Sequence, residues 1–207
     1  MTSESLLPVP GGPVLYIRQA EPGDAPSVRK VLRSAYESYE ETAAIRDGQA
    51  DEIRAEDIDR FLDPTNITLQ QEWESALARG QTANGKHRVL HLLAHSLIPG
   101  QEPLPVGYGS MSHGPNHSAI TTPSGNRVAA KMHELGVAQA YQQQHIGTAI
   151  LYCFAAFLQK QYRPSATAYL LVNRTDERGQ EWHARKWYAQ IGFAATGTAV
   201  ETLWDDH

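Results

Sequence analysis

The chain has 207 residues, 41% of them hydrophobic and 20% charged, and its 18 basic and 23 acidic side chains give a formal net charge of -5. These proportions exclude a largely disordered chain, and the acidic balance disfavours a broad nucleic-acid-binding surface. At roughly 150 residues per domain, the length indicates one domain.

The apolar pattern changes period along the chain, which indicates alternating strands and helices and a mixed α/β (α+β) fold. The first part predicts a strand at 14–18 and a helix capped by Asp24, followed by a second helix over 51–62. A third helix is predicted to begin at a capping box of Thr68 and Gln71 and to be closed by Gly80.

The second part of the chain predicts a hairpin of two strands, in which Gly107 and Gly109 indicate a close approach by another element. The elements expected after Gly80 are strands at 88–94, 105–111 and 127–137, a helix at 146–158, a strand at 168–172, a helix at 181–191 and a last strand near 196–203.

No membrane partner is expected from the sequence. The longest apolar run, residues 149–158, has ten residues, whereas a bilayer span needs about 20. The first residues do not resemble a signal peptide, and the single cysteine, Cys153, fits a reducing compartment. We therefore expect a cytoplasmic protein with a flexible lead-in over residues 1–13 and a single domain over residues 14–207.

The most informative segment runs from Lys131 to Leu151 and predicts a strand, a short polar loop and a helix whose start is marked by Gly147. Backbone N–H groups at a helix start have no intrahelical acceptor and lie at the positive end of the helix dipole, so they can bind a phosphate or pyrophosphate. An ordinary strand-to-helix turn gives the same pattern, and the segment alone leaves both interpretations open.

This segment resembles the acetyl-coenzyme A signature of the GNAT superfamily of N-acetyltransferases. Leu135 and Val137 match its L-x-V, and Gln142, His145 and Gly147 occupy the positions of Gln/Arg-x-x-Gly-x-Gly/Ala. The histidine departs from the pattern because the family has glycine there, which predicts a less tight loop.

A second segment, Ala184 to Phe193, is similar to the family's A-x-x-F/Y-Y-x-x-x-G-F helix-to-strand segment and follows the first in the right order. The resemblance implies a GNAT-like, mainly antiparallel central sheet flanked by helices, with extra helices between the first and second strands. It also implies an acyltransferase that uses acetyl-coenzyme A as co-substrate and no metal. The cofactor-binding residues it implies are Leu135, Gly136, Val137, Gln142, Gln143, Gln144, His145, Ile146, Gly147 and Thr148, with Asn173 as a further residue of the cleft.

The implied reaction passes the acetyl group directly to a primary amine in a ternary complex. An alkylamine with a pKa of about 10.4 is mostly protonated at neutral pH, so a base contributes to the rate. Strand alternation places Lys131, His133, Leu135 and Val137 on one face and Glu134 on the other. The similarity of H-x-L-x-V to arylalkylamine acetyltransferases implies that His133 is the base. Glu134 is the competitor, and a hydrogen-bonded structural histidine is the remaining interpretation.

Tyr188 matches the tyrosine that acts as general acid in the family, where a phenol protonates the leaving thiolate. A packing aromatic is the alternative, and it is what we expect of the neighbouring Trp187. The resemblance also implies that a backbone N–H near Leu135 stabilises the charge on the thioester oxygen. Cys153 lies within the apolar helix, where a thiol is expected to be inert.

The acceptor is expected to be a small cationic or lysine-like amine. Ten acidic residues and three arginines lie between Glu37 and Asp63, and this local charge of -7 would attract a cation. Two solvated helix faces explain the same pattern. A non-catalytic acyl-coenzyme A-binding or regulatory module is the alternative function, and the sequence leaves open whether the chain forms a homodimer.

Overall fold

A six-stranded sheet forms the frame of the molecule in the computed structural model, which describes residues 5–8, 13–47, 66–81, 88–114, 128–162, 167–170 and 183–194. The strands lie in chain order across the sheet, and all neighbours are antiparallel except the last pair. They are β1 (Ser5–Pro8), β2 (Val14–Gln19), β3 (Arg88–Leu97), β4 (Leu104–His113), β5 (Val128–Val137) and β6 (Thr167–Leu170).

Helices cover both faces of this sheet: α1 (Ala25–Asp47), α2 (Ile67–Arg79), α3 (Ile146–Tyr162) and α4 (His183–Gln190). The face covered by α1 and α2, called the α1 face, has a core that includes Val28, Leu32, Leu77 and Tyr108. The opposite face, called the α3 face, carries a larger apolar core against α3. None of the helices described is long and apolar enough to cross a bilayer. The predicted fold class, with extra helices after the first predicted strand, is confirmed.

The predicted elements correspond closely to the observed ones, with three local differences. Ser5–Pro8, inside the expected flexible lead-in, forms a strand that pairs with β2. Asp24 does not cap α1: it lies in a 3-10 turn, where it binds Arg18 at 2.6 Å and accepts the Glu21 N–H at 2.7 Å.

The third difference is the cap of α2. Its N-cap is Asn66, whose side chain accepts from the Leu69 N–H, and not Thr68. The left-handed Gly80 closes the helix as predicted. The helix predicted over 51–62 and the strand predicted near 196–203 lie outside the described residues, and the single domain over residues 14–207 stays a prediction.

The predicted close approach at Gly107 and Gly109 is confirmed. A Cβ on Gly109 would lie 2.9 Å from both Ile150 Cγ2 and Phe154 Cε2, so α3 packs directly on the backbone of β4. Because Ile150 and Phe154 are themselves buried in the α3-face core, α3 cannot move away from β4 without opening that core.

We expect Gly109→Ala to lower the free energy of unfolding by about 1–3 kcal/mol, because overpacking a filled core costs this much. Urea denaturation measures the change. Gly23→Ala is the matched control, since a Cβ at Gly23 would meet nothing within 4 Å. A Gly109→Ala variant as stable as this control would show that α3 is not seated on β4.

Candidate active site

A β-bulge in β5 determines where the predicted catalytic side chains lie. Ser110 of β4 pairs with Glu134, and the next residue, Met111, pairs with Met132, so His133 is an extra residue in β5. An extra residue breaks the regular alternation of side chains. The prediction that Glu134 lies on the opposite face from His133 is therefore wrong.

Both side chains lie on the α1 face, and each contacts a hydroxyl group. The Nε2 atom of His133 is 2.6 Å from Oγ of the buried Ser112. The Tyr36 hydroxyl of α1 donates to Oε2 of Glu134 at 3.0 Å. Leu135 and Val137 instead pack into the α3-face core, so His133 shares a face with Glu134 and not with these two apolar residues.

Neutral polar groups extend this site across the α1 face. His91 of β3 is buried, and its Nδ1 lies 2.8 Å from the Tyr108 hydroxyl. Burial, with a smaller effect of His133, lowers the pKa of His91 to about 4. Burial also raises the pKa of Tyr108 above its usual value. Both groups are therefore uncharged at neutral pH, beside a histidine and a carboxylate that can carry charge.

Tyr188 lies on the short helix α4, half-buried among aromatic rings. Its ring is tilted against Trp187 at 4.8 Å and stands edge-on to Phe193 at 5.4 Å, measured between ring centroids. Burial, and second the negative charge of Glu134, raise the pKa of Tyr188 to about 12. The phenol is thus protonated at neutral pH, which is the state that a general acid needs.

The loop between β5 and α3 adopts an unusual backbone conformation. Gln143 and His145 have positive φ values of 61° and 59°, in a region that glycine enters easily and that costs other residues roughly 1–2 kcal/mol. His145 therefore adopts a backbone conformation that is usual for glycine. A histidine in place of the family's glycine does not by itself require the looser loop that we expected. Turns of this kind direct backbone N–H groups into a common concavity that suits anions.

The remaining predicted residues of this loop brace it or begin α3. The amides of Gln142 and Gln144 donate to the carbonyls of Val137 and Ala140 at 3.2 and 3.3 Å. Ile146, Gly147 and Thr148 form the first turn of α3, where N–H groups have no intrahelical acceptor.

The two sequence motifs meet at the start of α3. A Cβ on Gly147 would lie 3.4 Å from Trp187 Cη2, so the indole of α4 packs over the first turn of α3. This contact brings Tyr188, which follows Trp187 in the chain, to the end of the sheet where β5 ends at Val137. The predicted Asn173 lies outside the described residues.

Sequence reasoning missed Tyr36 and Ser112, which hold the two candidate bases. Each contact joins residues far apart in the chain, and a serine or tyrosine in an apolar segment gives no local signal of such a partner. Among the residues that the structure describes, no three His, Cys, Asp or Glu side chains are grouped closely enough to hold a metal ion.

Solved acetyltransferase structures share this fold at low sequence identity. No protein-family model and no curated protein matches this sequence. A PaiA N-acetyltransferase from Thermoplasma acidophilum, solved in complex with coenzyme A, superposes with a TM-score of 0.55 at 16% identity, over 89% of this chain and 92% of that one.

Two further solved structures are similar. An aminoglycoside acetyltransferase from an uncultured soil metagenomic sample gives a TM-score of 0.53 at 14% identity, covering 90% of this chain and 96% of its own. A ribosomal-protein-alanine N-acetyltransferase from Brucella melitensis biovar Abortus 2308 gives 0.50 at 18%, with coverages of 90% and 96%. The expected GNAT fold is confirmed by these likenesses.

Proposed function

We propose that this protein is an N-acetyltransferase that moves an acetyl group from acetyl-coenzyme A directly to a primary amine. The observation that carries the proposal is the contact of Trp187 with Gly147, because it joins the predicted cofactor loop to the helix of the predicted acid on a fold shared with acetyltransferases. One of those similar structures holds coenzyme A.

The coenzyme would lie along the end of β5 and the loop that follows it. The left-handed residues Gln143 and His145 and the first turn of α3 offer backbone N–H groups for the pyrophosphate. The pantetheine arm would lie along Leu135, Gly136 and Val137, and the Leu135 N–H would donate a hydrogen bond to the thioester oxygen. Asn173 is proposed as a further residue of this cleft.

The chemistry needs one group that removes a proton and one that supplies one. We assign the first role to His133, because an imidazole is in general a better base near neutral pH than a carboxylate. As the amine nitrogen bonds to the acetyl carbon, its proton passes to His133. The C–S bond breaks, and the Tyr188 phenol protonates the leaving sulfur.

Glu134 would then provide negative charge for a cationic acceptor, and it remains the competing base. The acidic segment between Glu37 and Asp63, whose side chains lie outside the described residues, would add to the attraction. We also propose a cytoplasmic location. A sizing experiment would show whether two copies of the chain associate.

A thiol-release assay with acetyl-coenzyme A and a panel of primary amines tests the proposed activity. We expect turnover with at least one small cationic amine or lysine-bearing peptide. Tight coenzyme A binding without turnover across the panel would favour the non-catalytic acyl-coenzyme A-binding module instead. Failure to bind coenzyme A would contradict both functions.

A further inference from the structure

Contacts from Leu32, Ser34 and Tyr36 attach helix α1 to β5 and to the 3-10 turn that follows it. Leu32 packs on Gly136, where a Cβ would lie 2.9 Å from Leu32 Cδ2. The Ser34 hydroxyl accepts the Gln139 N–H at 3.1 Å. The Tyr36 hydroxyl then donates to Glu134 Oε2 at 3.0 Å. Because Leu32 and Ser34 fix α1 against Gly136 and Gln139, just beyond Glu134 in the chain, the phenol of Tyr36 reaches the carboxylate from a backbone that is already held in place.

The Tyr36 hydroxyl is a permanent donor to this carboxylate. Burial and the negative charge and hydrogen bond of Glu134 raise the pKa of Tyr36 above its usual value, so the phenol stays protonated. Tyr36 is nevertheless 40% exposed, so the hydrogen bond lies at a part of the α1 face that solvent, and hence an acceptor, can reach.

We propose that Tyr36 is a positioning residue that holds the Glu134 carboxylate in the orientation that receives the ammonium group of a cationic acceptor. This inference rests on the proposed acetyltransferase function and assigns the acceptor subsite of that site. A carboxylate fixed in advance loses less rotational freedom when the acceptor binds, so the gain appears as affinity for the amine. His91 and Tyr108 on the same face are neutral and do not compete for the cation.

Steady-state kinetics of Tyr36→Phe, Glu134→Gln and the double variant test the proposal with the best amine of the panel. We expect Tyr36→Phe to raise the KM for the amine about 10-fold, the size of a hydrogen bond to a charged group, with kcat and the KM for acetyl-coenzyme A nearly unchanged. In the Glu134→Gln background the same change should have little further effect, because Tyr36 acts through Glu134. Tyr152→Phe, at a position that is 68% exposed on α3, is the matched control.

The outcomes separate the two hypotheses. Equal kinetics of Tyr36→Phe and Tyr152→Phe would overturn the role of Tyr36 while leaving the acetyltransferase intact. A fall in kcat at constant KM would also overturn it, because Glu134 would then take part in proton removal. If the parent protein turns over no amine, the proposed function fails, and the inference fails with it. Thermal unfolding of all variants shows whether a change in KM reflects lost folding instead.

Discussion

Tyr188→Phe is expected to lower kcat by about 100- to 10,000-fold, the usual contribution of a general acid, with the KM for the amine nearly unchanged. The substitution removes one oxygen and keeps the ring that packs on Trp187 and Phe193. The fold around α4 should therefore survive. Thiol release under saturating acetyl-coenzyme A measures the loss, and Tyr152→Phe on the exposed side of α3 is the control.

The pH dependence gives an independent check of this role. An acid must be protonated to act, and the pKa of Tyr188 is raised to about 12, in part by Glu134. Activity of the parent protein should therefore not fall through loss of this proton until the pH approaches that value. Glu134→Gln removes the negative charge that helps to raise the pKa of Tyr188. The fall in activity at alkaline pH should therefore begin at a lower pH in this variant. Unchanged kcat in Tyr188→Phe would leave the tyrosine as a packing aromatic only.

The order of elements could be predicted from the sequence because it depends on local patterns. Local conformation or packing determines each of these patterns: the switch from strand to helix periodicity, the helix end at Gly80 and the two glycines of β4. The strand Ser5–Pro8 could not be predicted, since proline is disfavoured in strands except at edges. Its position at the edge of the sheet, beyond β2, is where that rule permits it.

The face of each catalytic candidate could not be predicted in the same way. Alternation along a strand assumes regular pairing, and the bulge at His133 arises from the register of β5 against β4, which residues about 20 positions away determine. The Tyr36–Glu134 contact spans 98 residues. Sequence patterns therefore identified His133, Glu134 and Tyr188 as residues of interest, but the hydroxyl groups that contact His133 and Glu134 became visible only in the folded structure.

His133→Ala is expected to lower kcat by about 100- to 10,000-fold if the imidazole is the base. The activity of the parent protein is expected to fall at acidic pH, because a protonated imidazole cannot accept a proton from the amine, and His133→Ala should lose this fall. A pH series of kcat/KM between the two proteins measures both effects. An unchanged rate and profile would remove His133 from the mechanism and leave Glu134 as the base.

Ser112→Ala tests how the base is held. When the Nε2–H of His133 donates to Ser112 Oγ, at 2.6 Å, the tautomer with an unprotonated Nδ1 is selected, and that atom can take up the proton. Without the serine, we expect kcat to fall about 10-fold, because one hydrogen bond that orients the imidazole is lost. The fall in activity at acidic pH should remain, because the imidazole is still present.

Ser96→Ala is the matched control for this variant. Ser96 is a buried serine of β3 whose Oγ has no hydrogen-bond partner among the described residues, so its loss should leave kcat unchanged. Equal rates for the two serine variants would mean that Ser112 supports only the sheet. A large loss confined to Ser112→Ala, with the fall in activity at acidic pH kept, would mean that the bulge in β5 orients a catalytic imidazole through a buried hydroxyl.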